Sequence, residues 1–123
     1  MIGVVTAANE AALEVNVAGP AEDRWERIGV VVDTGFTGHL TLRPEIFERL
    51  ALPIIGCAES ILADGSTTIE DVCLARVVWH GTPRPVRALV AEAAPLLGMS
   101  LLRGSDLRMR VVGGGDVRTE EID

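Results

Sequence analysis

Val30-Val31-Val32-Asp33-Thr34-Gly35 is the stretch from which the 123-residue chain is best read. Three consecutive valines suit a strand covered on both faces, because β-branched side chains pack well on a pleated surface. An acid directly after such a strand is costly if it points into the core, since an ionised carboxylate removed from water needs partners or a shifted pKa. A functional role would justify that cost, and the next two residues suit one. Thr34 offers a hydroxyl to a hydrogen-bond network, and Gly35 lets another backbone or a substrate approach closely. The plainer alternative is a carboxylate that closes a turn at a strand end through its own side-chain bonds.

Upstream, Leu13, Val15 and Val17 alternate with Glu14 and Asn16, the period of a strand with one buried face, and Gly19-Pro20 ends it. Downstream, Leu40-Thr41-Leu42 is a short strand. Pro44 to Leu50 reads as a short helix, with Pro44 in its first turn and Glu45 near the positive end of its dipole. Ile54 to Leu62 and Thr67 to Trp79 form a long hairpin joined by Ala63-Asp64-Gly65-Ser66, where glycine tolerates positive φ. Cys57 and Cys73 lie symmetrically about Gly65, which would set them opposite each other, although buried free thiols are the expectation. A turn at Gly81-Thr82-Pro83 leads into a strand from Arg84 to Ala91. After Leu96-Leu97-Gly98 come one or two helical turns over Met99 to Arg103. Leu107, Met109 and Val111 then alternate with Arg108 and Arg110 before a Gly113-Gly114-Gly115 turn, and Arg118 to Asp123 reads as a charged tail at an exposed edge.

Composition agrees with a single domain over residues 1–123. Aromatic residues are only 3%, with no Tyr, so the core is aliphatic and an all-β fold is expected. Apolar residues reach 48%, high for a small soluble monomer, which points to apolar surface buried between subunits. A net charge of −7 argues against nucleic acid, whose phosphates need clustered Lys and Arg. The richest apolar stretch, Val86 to Leu102, is broken by Arg87, Glu92 and Pro95, so no membrane span is expected. With no basic and apolar leader at the N-terminus, the expected location is cytoplasmic.

An Asp-[Ser/Thr]-Gly triplet arises by chance in roughly 5–10% of chains of this length, so the order of its companions matters more than the triplet. An apolar strand, Asp33-Thr34-Gly35, Leu40-Thr41-Leu42, a hairpin at Asp64-Gly65, and Leu96-Leu97-Gly98 before a helix and a final strand follow one another from Val30 to Val112. This series resembles the retroviral-type, or retropepsin-like, aspartic proteases. Phe36 after the triplet is similar to their single-domain prokaryotic branch. The resemblance implies a mainly antiparallel acid-protease β-barrel, closed or partly open, with one or two short helices, each lobe forming half of a C2 homodimer. It implies an endopeptidase without metal or cofactor, acting on a peptide or protein substrate. Asp33 would be the catalytic carboxylate, supported by Thr34, Gly35, Leu97 and Gly98, with Phe36, Thr37, Gly38, Asp64 and Gly65 against the substrate.

Many viral relatives pair an Asp two residues after the triplet with an Arg after the later Gly, and those positions are Thr37 and Met99 here. Their joint absence leaves no unpaired charge, and it motivates the alternative of a catalytically silent dimeric peptide-binding module. His39 and His80 read as surface or turn residues, because no strained nucleophile turn surrounds Ser60, Ser66, Ser100 or Ser105.

Overall fold

Alternation of apolar and polar residues becomes strand along most of the chain in the computed structural model, which describes residues 1–123. In order come β1 (Ile2–Val5), β2 (Ala11–Ala18), β3 (Glu26–Val32), β4 (Leu40–Leu42), helix α1 (Pro44–Arg49), β5 (Ile54–Ile61), β6 (Thr67–Trp79) and β7 (Thr82–Val90). They are followed by β8 (Leu96–Leu97), helix α2 (Met99–Leu102), β9 (Ser105–Met109) and β10 (Asp116–Glu121). All ten strands share one sheet in the order β5-β6-β7-β4-β8-β3-β2-β1-β10-β9. A further pairing of β2 with β6, at Val17 and Val77, curls that sheet into a partly open barrel.

The ladders are antiparallel except β3 with β8 and β4 with β7. The two-residue strand β8 therefore sits between β3 and β4, and Leu97 stands opposite both Val32 and Leu40. Period-2 patterning puts Leu13, Val15 and Val17 inside, where they meet Leu40, Leu97 and Leu101 in one aliphatic cluster. Pro44 opens α1 as expected, and Leu50, just beyond Arg49, caps it.

Several local expectations are corrected. Residues 116–121 are no exposed edge: β10 lies between β1 and β9, with Val117 and Thr119 fully buried. Its alternation of buried Val and Thr with Asp, Arg and Glu is a strand signal that its high charge concealed. The N-terminal strand β1, which pairs with β2 and β10, was likewise unanticipated. β9 stops at Met109, so Val111 lies outside it, half of its surface or more in solvent.

The turn before β7 is His80-Gly81, one residue earlier than expected, because Thr82 already pairs with Trp79. His80 and Gly81 have φ of 49° and 78°, the mirror-image turn that matches strand twist. In the long hairpin the pairing is centred on Asp64 rather than Gly65, which sets Cys57 against Asp71, and an irregularity near Ile54 and Gly56 sets Cys73 against Ile54, so the two cysteines are not opposed. Cys57 is exposed rather than buried, and both thiols are free. Of the three valines in β3, only Val30 is buried, while Val31 and Val32 are half-covered.

The interior place of β10 has a direct test. Val117→Ala removes two buried methylene equivalents and leaves a cavity, so it is expected to lower the unfolding free energy by about 2 kcal/mol in urea titrations. A change within about 0.5 kcal/mol, the range of an exposed substitution, contradicts this placement.

Candidate active site

Asp33 follows β3 immediately, and its surroundings are made mostly of backbone. Its N–H donates to the Leu97 carbonyl at 2.9 Å, and its own carbonyl accepts the Phe36 N–H at 3.1 Å. The carboxylate Oδ1 accepts the Gly35 N–H at 2.9 Å. Asp33 is half-buried, with its carboxylate on the turn rather than in the core, so the desolvation cost foreseen from the three valines is largely avoided. The turn-closing role and an available carboxylate coexist, because one oxygen suffices for the Gly35 bond.

A second segment grips this loop from below. Gly98 donates to the His39 carbonyl at 3.0 Å, Met99 to that of Phe36 at 2.8 Å, and Ser100 to that of Gly38 at 3.1 Å. The Ser100 hydroxyl donates to the Thr37 carbonyl as well. On β4, the buried Thr41 hydroxyl accepts the Leu96 N–H at 2.8 Å. Gly98 is required by proximity: a Cβ there would meet the Gly38 carbonyl oxygen and lie 2.6 Å from Phe36 Cδ2 and 2.7 Å from the Phe36 carbonyl. The Phe36 ring also folds over Gly38, where a Cβ would lie 2.6 Å from Cζ.

Asp33, Thr34, Gly35, Phe36, Thr37 and Gly38 are thus brought together with Leu97 and Gly98. Asp64 and Gly65 are held elsewhere, at the tip of the β5–β6 hairpin. Gly65 has φ 86°, and Asp64 Oδ1 accepts the Ser66 N–H at 2.9 Å and its hydroxyl. Those two bonds, the hydroxyl first, hold the Asp64 carboxyl below its ordinary range. The long hairpin is therefore as expected, with a tip ordered by its own side chains.

Three residues of this region escaped sequence reasoning. Ser100 braces the loop with no charged pair at Thr37 and Met99, and Met99 is 47% exposed. His39 and Arg87 border a cavity of about 290 Å³ beside the loop, whose apolar walls are Phe36, Leu40, Val72 and Leu89. Arg87 carried a readable signal: it alternates with the buried Val86 and Ala88, so it had to face outward from β7.

Both histidines have lowered pKa values, His39 through burial and then the Arg84 and Arg87 charges, His80 through burial and then the N-terminal ammonium. His80 Nε2 lies 2.8 Å from Ser105 Oγ, tying the β6–β7 turn to β9. No carboxylate forms an ion pair with either histidine, so no Ser-His-acid relay is assembled. Burial pushes the Cys73 thiol up to about 11, leaving it a weak donor to the Ala88 carbonyl at 3.4 Å.

Among solved structures, this chain is similar to EIAV protease in complex with the inhibitor HBY-793, with a TM-score of 0.58 and 18% identity, over 79% of this chain and 88% of that one. It is also similar to a retropepsin-like aspartic protease from Rickettsia conorii, with a TM-score of 0.57 and 17% identity, over 98% of this chain and 90% of that one. No protein-family model matches the sequence, and no curated protein matches it. The chain has the retropepsin-like fold, all-β with two short helices, as the ordered motifs implied. No helix is long and apolar enough to cross a membrane.

Two outcomes follow from this geometry. Gly98→Ala forces the loop and the α2 segment apart, and is expected to cost about 1–3 kcal/mol of stability in denaturant titrations; an unchanged midpoint would show that the contact relaxes freely. The histidines give a pH dependence. Because each folded pKa is lowered from 6.5, the unfolded chain takes up protons first, so stability is full above pH 6.5 and falls as pH drops below it. The Tm of His39→Gln should therefore fall less than that of the parent between pH 7.5 and 5.5, and equal slopes contradict the assignment.

Proposed function

We propose that the chain is an aspartic endopeptidase that works as a homodimer, with Asp33 of each subunit facing its twin across a two-fold axis. The observation that carries this reading is the position of Asp33: a half-buried carboxylate on a loop locked by backbone bonds, beside an exposed Thr34. The likeness to two aspartic proteases in fold supports it.

One carboxylate is insufficient for this chemistry. Amide hydrolysis by this route needs an ionised carboxylate to take a proton from water as the oxygen attacks the carbonyl carbon, and a protonated one to donate to the carbonyl oxygen. Two like groups in close contact share one proton because both cannot ionise together. This chain contains a single Asp-Thr-Gly, so the second copy must come from another subunit.

The surface around Thr34 suits such a partner. Thr34 borders two grooves, one lined by Val31, Val32, Met109 and Val111 and the other by Met99 and Leu107. Met99 and Met109 are 47% and 38% exposed, and β9 is a free edge of the sheet whose backbone can pair again. Thr34 of each subunit would hydrogen-bond across the axis and keep the two Asp33 loops in register. The β5–β6 hairpin would close over an extended peptide, excluding water and positioning the amide.

The test is hydrolysis of a diverse peptide library between about pH 3.5 and 7, where one shared proton is available. Cleavage is expected, with a rate per chain that falls on dilution as dimers dissociate, and Asp33→Asn is expected to lower it by at least about a thousandfold. Bound but uncut peptides would instead favour the silent peptide-binding module, which the loss of the viral charged pair at Thr37 and Met99 motivates. Cleavage that survives in a monomer would overturn the two-carboxylate mechanism.

A further inference from the structure

The cavity beside the Asp33 loop is lined by basic side chains and no acidic ones, against the balance of the chain as a whole. The protein carries 18 acidic and 11 basic residues, yet no carboxylate lines this cavity. Its polar side chains are His39, Arg87 and the thiol of Cys57, set against Phe36, Leu40, Val72 and Leu89. Arg87 forms no ion pair, whereas Arg27, Arg49, Arg76 and Arg118 each hold an acid of this chain. Arg84 adds positive charge near His39 from the same strand.

Phe36 lies three residues beyond Asp33 and donates to its carbonyl, so the cavity floor is part of the catalytic loop. The opposite walls come from β5 and β6, which form the projecting hairpin, and from β7. A side chain of a peptide lying between hairpin and loop can enter here. Apolar walls favour its methylenes, and a guanidinium in the lining favours a carboxylate, which it can hold through two parallel N–H bonds.

We infer that this cavity is a specificity subsite for an acidic side chain of the peptide, glutamate in particular, and that Arg87 is the residue that selects it. Glutamate fits better than aspartate because its longer stem leaves more apolar surface against Leu40 and Leu89 while the carboxylate reaches Arg87. An entering side chain also displaces water from around an otherwise solvated cation, which strengthens a pairing that would be weak on an open surface. Glu59, Glu70 and Asp71 stand on these same hairpin strands without lining the cavity.

This inference rests on the peptidase reading for the peptide's path, but its test does not need turnover. The Asp33→Asn protein is titrated, by fluorescence anisotropy, with labelled peptides in which glutamate or its neutral isostere glutamine is scanned through each position. At one position glutamate is expected to bind roughly tenfold more tightly than glutamine, the size of a single charge-assisted contact. Arg87→Gln in the same background should bring that ratio to about one, and Arg87→Glu should move the preference to lysine. Equal binding of the two peptides at every position overturns the inference, as does a glutamate preference that survives in Arg87→Gln. Failure of the parent protein to hydrolyse peptides that its Asp33→Asn form binds selectively would count against the peptidase reading alone. Absence of binding to any peptide would overturn both.

Discussion

Backbone hydrogen bonds between the Asp33 loop and the segment from Leu97 to Ser100 are the contact on which the rest of the molecule depends. Four of them join Asp33 to Leu97, Gly98 to His39, Met99 to Phe36 and Ser100 to Gly38. They form only because Gly98 has no side chain to separate the two backbones, and because β8 enters the sheet between β3 and β4. A loop held at both of its ends and along its underside cannot drift relative to the sheet. That rigidity is what a reactive carboxylate needs, since misplacement by about 1 Å can cost two orders of magnitude in rate.

Burial in the single chain stops short of the loop's other side. Val30 is buried, but Val31 and Val32, next to Asp33, remain half-covered, and Met109, Val111 and Val112 continue the apolar surface past the free edge of β9. Apolar atoms normally contribute more than half of a protein's surface, so scattered examples would mean little. Val31, Val32, Met109 and Val111 are gathered around one exposed threonine, next to the free edge of one strand. The unusually apolar composition is thus concentrated on the face that the proposed dimer would bury.

Legibility of the fold followed local chemistry. β2, β3, the long hairpin and α1 were readable because alternation, an Asp-Gly turn or an N-terminal proline announces each of them within a few residues. β10 was not, because its inward residues are only Val117 and Thr119 among acids and an arginine, and its burial depends on β1 and β9 on either side. Pairing register was illegible for a similar reason: symmetry about Gly65 suggested facing cysteines, but the strands pair about Asp64, which sets Cys57 against Asp71. At the candidate site the segment around Asp33 and the Leu-Leu-Gly motif were legible and the outward direction of Arg87 could have been read, whereas the contacts of Ser100, His39 and Arg87 could not. Their roles arise from long-range contacts, and no spacing in the chain records which backbone a serine hydroxyl will meet.

The Ser100 contact also shows why the fold survives without the viral charged pair. A buried ion pair returns little net stability, because desolvating two charges offsets most of their attraction. Neutral replacement at both positions removes that desolvation cost together with the attraction, and leaves no orphaned charge. Here the same two segments are joined by a serine hydroxyl on a backbone carbonyl and by the main-chain bonds beside it. The loop is thereby held without any charge beneath it. The charge near its cavity comes instead from Arg87 on β7, so support of the loop and the proposed recognition would be carried by different strands.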